Sequence, residues 1–178
     1  MGVDNDDDQS GGAAGMSHVD DFTAFARSQL PALYRTAYLL THDQYDAEDL
    51  VQETLAKVFV VWRKKRLDNP AGYAYVALTR TFISGRRRRR TVDPGAARAG
   101  SFDAGSVPLQ VDLMTAIAQL DAHDRAVLVL RYLMDYSVEQ TADALRLSPG
   151  AVKTRTHRAA VRLRDVLGSG YAKETRDA

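Results

Sequence analysis

Two helix-start signals eleven residues apart constrain this chain more than any other feature of its sequence. Ser137-Val138-Glu139-Gln140 is a capping box: a Ser hydroxyl that can accept from the backbone three residues on, and a Gln that can reach back to it. It opens a short helix carrying Ala142 and Leu145. Arg146-Leu147 forms a tight break. Ser148-Pro149 then opens a second helix, a cap followed by a Pro whose missing N–H costs nothing at the first helical position. The second helix buries Val152, Ala159, Leu163 and Leu167 at helical spacing. Its opposite face presents Lys153, Thr154 and His157, flanked by Arg155, Arg158 and Arg162. Two short helices with a tight turn, the second basic on its outer face, form a helix-turn-helix, whose second helix fits a major groove. On the pattern alone, an ordinary amphipathic helix with a solvated basic face stays open as the plainer reading.

The rest of the chain is also helical in period. Leu30, Leu33, Tyr34, Ala37 and Leu40 repeat at helical spacing, with Pro31 at a start or bend, and a break follows at Thr41-His42-Asp43. Asp46 is the expected cap of the next helix, whose apolar stripe is Ala47, Leu50, Val51, Thr54, Leu55, Val58 and Trp62. Asn69-Pro70 starts a third helix running through Tyr73, Val76, Ala77 and Leu78 toward Gly85. Residues 93–107 are rich in Gly, Ala and Ser without periodicity and read as a flexible linker, which at 15 residues reaches at most about 50 Å. Helical pattern resumes near Pro108, with Ile117 and Leu120 on one short helix and Val127, Leu130, Tyr132 and Leu133 on the next. Nothing resembles a series of strands. The expected fold is all-α, two small helical domains at 18–92 and 108–168, with an acidic, structureless segment at 1–17 and a tail at 169–178.

Charge narrows the partners. Asp4, Asp6, Asp7, Asp8, Asp20 and Asp21 lie within the first 21 residues, which hold no Lys or Arg. All 24 Lys and Arg therefore face 17 acids in the remainder, the 23 of the whole chain less those six. They cluster: Arg86, Arg87, Arg88, Arg89 and Arg90 are consecutive, and Lys153, Arg155, Arg158, Arg162 and Arg164 form a second group. Such clusters are the footprint of a polyanionic partner. There is no cysteine, which excludes disulfides, zinc–thiolate sites and thiol nucleophiles and fits a reducing cytoplasm. No apolar run is long enough to span a membrane and no secretory signal pattern opens the chain, so no membrane partner is expected. No phosphate-cradling Gly-rich loop occurs and the four His are scattered, so no cofactor and no metal are expected.

Two segments carry a family resemblance. Residues 130–159, from Leu130-Arg131-Tyr132 through Ser148-Pro149-Gly150 to His157-Arg158-Ala159, resemble the domain of extracytoplasmic-function sigma factors that reads the −35 promoter element. Asp46-Ala47-Glu48-Asp49-Leu50-Val51-Gln52-Glu53-Thr54-Leu55 is similar to the helix of their other domain that docks on the RNA polymerase clamp. The style of Asn69-Pro70-Ala71-Gly72-Tyr73 is similar to the actinobacterial SigE-like branch. The resemblance implies a transcription initiation factor without catalytic residues of its own. Its partners would be core RNA polymerase, through the largest-subunit clamp helices and the flap, and promoter DNA, with an anti-sigma factor as a further candidate.

Residue by residue, the resemblance implies that Glu48, Asp49, Gln52 and Glu53 face the polymerase. It implies that the stretch from Arg66 to Arg90 melts and captures the −10 element. There Tyr73, Tyr75, Arg80 and Arg86 to Arg90 supply the aromatic and basic side chains that a flipped base and a single strand require. In the second domain, Lys153, Thr154 and His157 match base-facing positions, and Arg155 and Arg158 match phosphate contacts. This chain departs from the family at Thr79-Arg80-Thr81, where many members carry an Asn, and at Thr141 and Ala151, where Ile and Thr are frequent. Two rivals remain at this point. A one-component helix-turn-helix regulator would act without docking on core polymerase. A metal-dependent nuclease would use Asp46, Asp49 and Glu53 at i, i+3 and i+7 to hold Mg²⁺.

Overall fold

The computed structural model describes residues 10–92 and 108–174, with side chains for 18–85 and 113–167. All its regular elements are helices. α1 (Ser10–Thr41), α2 (Gln44–Trp62) and α3 (Pro70–Val92) pack around one core. That core is Leu33, Ala37, Tyr38 and Leu40 from α1, Ala47, Leu50, Val51 and Val58 from α2, and Ala74, Tyr75, Leu78 and Phe82 from α3. The expected stripe of α2 is the buried one, for Ala47, Leu50, Val51, Thr54 and Val58 all face inward. Thr54 is tolerated there because its hydroxyl donates to Leu50 O at 2.7 Å.

Three boundaries differ from the sequence reading. α1 begins at Ser10, inside the segment expected to lack structure. Once a helix is nucleated, each added residue gains a hydrogen bond, and Ala13-Ala14 extend it readily. Residues 1–9 lie outside the described residues. The cap of α2 is Asp43, not Asp46. Asp43 is extended (φ −141°, ψ 133°) and its Oδ1 accepts from the Asp46 N–H at 2.9 Å, which makes Asp46 the third residue of the helix. The α1–α2 turn is set by His42 in the left-handed region at φ 58°. Its N–H closes α1 on Tyr38 O at 2.8 Å. Finally, α3 continues past Gly85 to Val92 and so carries Arg86 to Arg90 on its last turns.

α4 (Pro108–Ala118), α5 (Ala122–Leu128), α6 (Val138–Leu145) and α7 (Pro149–Glu174) form a second unit around Ala126, Val127, Leu130, Ala142, Ala144, Leu145 and Val152. α5 widens into a π-helical turn at Val129–Leu133, closed by Met134 N–H on Val129 O at 3.2 Å. α7 runs to Glu174, six residues past the expected end of the domain at 168. The proposed linker 93–107 lies outside the described residues.

The two units share a seam. Val129, Met134, Met114 and Ala122 join the first core, and Val76 and Ile83 of α3 join the second. Arg125 is the polar hub. It is buried, donates through Nη1 to Leu40 O, through Nε to Leu120 O at 3.1 Å, and lies 5.7 Å from the centroid of the Phe82 ring. Arg125 Nη1 also meets His42 Nδ1 at 3.0 Å. A guanidinium can only donate, so Nδ1 accepts and the His42 proton sits on Nε2, which donates to Met114 O at 3.0 Å. Farther along, Tyr136 Oη donates to Gly72 O at 3.3 Å. A Cβ at Gly72 would come within 3.0 Å of that hydroxyl, so glycine permits the approach.

Candidate nucleic-acid interface

The helix-turn-helix is built by its caps. Ser137 Oγ accepts from Gln140 N–H at 3.0 Å, and Gln140 Oε1 accepts from Ser137 N–H at 2.7 Å, so both halves of the capping box are present. α6 stops because Arg146 adopts the left-handed conformation (φ 55°, ψ 46°), and Leu147 N–H turns back onto Ala142 O at 2.9 Å. α7 starts on Ser148, whose Oγ accepts from Ala151 N–H at 3.1 Å, with Pro149 as its first residue. Val152 and Ala159 are fully buried. Thr141 is buried in α6 with its hydroxyl unpartnered among the described residues, a polar cost that an aliphatic side chain would not carry.

The rest of the α7 surface is available to DNA in part. Lys153, Thr154 and His157 are exposed on the side away from the core, and Arg162 is exposed on the flank of the helix. Thr154 Oγ1 donates back to Gly150 O at 3.0 Å, which leaves its oxygen lone pairs and methyl group to meet a base edge. Arg155 and Arg158 do something the sequence reading did not foresee. Both fold onto the start of α5, where Asp121 caps the helix by accepting from Asp124 N–H at 2.9 Å. Arg155 Nη1 lies 2.9 Å from Asp124 Oδ1, and Arg158 places Nε at 2.8 Å from Asp124 Oδ2 and Nη2 at 2.7 Å from Oδ1. Arg158 Nη2 also reaches Asp121 Oδ2 at 3.0 Å. The expectation of phosphate contacts for these two therefore meets guanidiniums already engaged by carboxylates.

The electrostatics of Asp121 follow from this. Partial burial acts to raise its pKa, but the Asp124 N–H and the Arg155 and Arg158 guanidiniums outweigh it and hold the carboxyl below its ordinary value. A depressed carboxyl adds stability above its unfolded pKa of about 3.9 and loses it as pH falls through the lower folded value. The thermal stability of the chain is therefore expected to exceed that of Asp121→Asn at neutral pH, with the gap closing at pH values below about 4. Melting curves of both proteins across that range test this, and a gap independent of pH would refute it.

On α3, Tyr75 is buried in the first core, 8% exposed, because it lies on the inward face with Ala74, Leu78 and Phe82. The expected role for it in holding single-stranded DNA does not fit this placement. Tyr73 is half-buried against the same core. Arg80 is exposed, yet its Nε donates to Ala144 O at 2.5 Å and its Nη2 to Asp143 O at 3.2 Å, so it caps the C-terminal carbonyls of α6. The backbone of Arg86 to Arg90 is helical, but the expectation for their side chains lies outside the described residues.

On α2, Glu48, Asp49, Gln52 and Glu53 are all exposed on one face. Glu53 pairs with Lys57 at 2.8 Å, and Lys57 Nζ donates to Thr81 Oγ1 at 3.0 Å, which ties this face to α3. The sequence reading missed Tyr45 and Val60, which are 76% and 53% exposed on the same face. Their position off the apolar stripe was the available signal. Asp46, Asp49 and Glu53 do not converge, and among the described residues no three His, Cys, Asp or Glu side chains group as a metal site. No described helix is long and apolar enough to cross a membrane.

Comparison with known proteins agrees with this arrangement. The sigma-70 region 2 family matches residues 25–92 and the sigma-70 region 4 family matches residues 110–172. The RNA polymerase sigma-E factor of Streptomyces coelicolor is 34% identical over 85% of this chain and 89% of its own length. That of Streptomyces antibioticus is 35% identical over 89% and 88%. The ECF RNA polymerase sigma factor SigE of Mycolicibacterium smegmatis is 30% identical over 94% of this chain and 68% of its own. Among solved structures, the sigma factor RpoE of Bartonella quintana, in complex with the anti-sigma factor NepR, superposes with a TM-score of 0.66 at 29% identity, covering 83% of this chain and 97% of that one. These relatives support neither a one-component regulator nor an enzyme. With region 2 built from α1 to α3, region 4 ending in a capped helix-turn-helix, and relatives aligned across both, the chain belongs to the extracytoplasmic-function branch of the sigma-70 family, the non-catalytic specificity subunits of RNA polymerase.

Proposed function

We propose that residues 18–92 bind core polymerase and the −10 element, that 108–168 bind the −35 element, and that 93–107 join them. The observation that carries this reading is the exposed set Lys153, Thr154 and His157 on the outer face of α7, opposite the buried Val152 and Ala159. A helix entering a major groove needs that division. Arg162 is exposed farther along α7, on its flank, where it can contact a phosphate. The exposed face Glu48, Asp49, Gln52 and Glu53 docks on the clamp helices of the largest subunit, and region 4 meets the flap. Tyr73, Arg80 and Arg86 to Arg90 serve the −10 strand. The chain works in the cytoplasm, at the nucleoid. An anti-sigma factor, as bound to the Bartonella quintana protein, is a further partner.

Run-off transcription with core polymerase on host genomic fragments tests the reading and maps both promoter elements. Discrete transcripts that depend on this chain are expected, and core binding without any transcript across the genome would count against it. In the same assay Lys153→Ala is expected to lower discrimination between the mapped −35 element and its variants by about 1–3 kcal/mol. Discrimination equal to that of the wild type would remove Lys153 from the base-reading set.

A further inference from the structure

Arg155 and Arg158 stand one turn apart on α7 and converge on Asp124, which is completely buried. Two guanidiniums meet two carboxylates, Asp121 and Asp124, so the cluster is neutral and offers no surplus charge to a phosphate. Arg158 grips Asp124 in a bidentate fork, through Nε at 2.8 Å and Nη2 at 2.7 Å, a geometry that fixes direction as well as distance. If either guanidinium swung out to DNA, a carboxylate without access to water would lose a partner, which is strongly unfavourable.

The consequence is mechanical. Val152 and Ala159 fix the distance of α7 from the core, and the two arginines, offset around the helix from that apolar line, oppose its rotation. Rotation is what base reading is sensitive to. A turn of about 20° moves a side-chain tip at a radius of about 5–6 Å by about 2 Å, enough to break a hydrogen bond to a base edge. Thr154 and His157 stand next to Arg155 and Arg158 in sequence and inherit any such error.

We propose that Asp124, acting through Arg155 and Arg158, is a positioning residue that sets the rotation of α7 and with it −35 specificity, and that the two arginines are not phosphate ligands. This rests on the assignment of α7 to the −35 element. The family resemblance suggests phosphate contacts at these two positions, so the inference departs from it.

The test uses holoenzyme assembled from core polymerase and the full chain, with duplexes carrying the mapped −35 element or a scrambled one, over a range of salt concentrations and below the melting temperature. Each phosphate contact contributes about 0.9 to the slope of log affinity against log salt. Arg158→Gln and Arg155→Gln are expected to keep the wild-type slope and to lose about tenfold or more in discrimination between the two duplexes. Asp124→Asn is expected to lose discrimination while its slope steepens, as released guanidiniums reach phosphates. A merely stabilising contact would alter neither quantity in the folded protein. A slope reduced by about 0.9 in Arg158→Gln, with discrimination intact, overturns the proposal. So does wild-type behaviour of Asp124→Asn. Should Asp124→Asn not fold, Arg158→Gln decides alone, since Arg158 is half-exposed and replaceable. The wild-type holoenzyme and Lys153→Ala separate the positioning role from the −35 assignment it rests on. If the wild type does not distinguish the two duplexes, the −35 assignment fails and takes the proposal with it; if the wild type does and Lys153→Ala lowers discrimination while Arg158→Gln does not, only the positioning role fails.

Discussion

Asp49→Lys combined with Glu53→Lys abolishes core polymerase binding, lowering affinity by about 100-fold or more, while leaving the fold intact. Both side chains are exposed on the outer face of α2, so nothing in the core changes. The one ion pair lost, Glu53 with Lys57, is exposed on both sides and contributes under about 1 kcal/mol. Across an interface the same two reversals place like charges against each other, and each such juxtaposition costs several kcal/mol, of which about 2.7 already corresponds to 100-fold. Pull-down of core, read beside the circular dichroism and melting temperature of the free variant, tests this. A folded double variant that still captures core would remove this face from the docking surface.

Arg125→Met is expected to produce the largest loss of stability of any single substitution considered, about 3 kcal/mol or more. Methionine fills similar volume, so the cost is that of polar groups stranded in the seam: Leu40 O, Leu120 O and His42 Nδ1 lose a donor inside the protein, and the cation leaves the Phe82 ring. Urea denaturation followed by Trp62 fluorescence, which reports the first unit, and by circular dichroism, which reports both, is expected to show two transitions in place of one. Coincident transitions at wild-type midpoint would show that the seam contributes little.

The second unit was readable in the sequence to within a residue at its recognition motif, because its signals are local. A capping box, a left-handed stop and a Ser-Pro start depend on neighbours three or four positions away. The break at Thr41-His42-Asp43 was read where it lies, but the cap of α2 was placed three residues late. Asp43 and Asp46 are equally good caps in isolation, and His42 in the left-handed region decides between them. Long-range pairing was not legible. Sequence shows that Arg155, Arg158 and Arg80 are cations on a surface, but not that the first two meet Asp121 and Asp124 some 31 to 37 positions away, or that Arg80 meets α6 across 63 and 64. The burial of Tyr75 was not legible either, because about half a helix turn, two residues, separates an outward-facing aromatic from one that fills the core.

The seam also sets an order of events. Arg80 cannot donate to Ala144 O and Asp143 O and to a DNA strand at once, whereas the α2 face is open throughout. The α2 face can therefore meet core polymerase in the closed chain, whereas a −10 strand held by Arg80, as proposed, requires the contact between α3 and α6 to open. In population terms, an opening that costs about 3 kcal/mol leaves under about 1% of free molecules open and lowers the apparent affinity for that strand about 100-fold below the intrinsic one. A polymerase surface that holds the halves apart would remove that penalty, so capture of the −10 strand would become a property of the assembled holoenzyme.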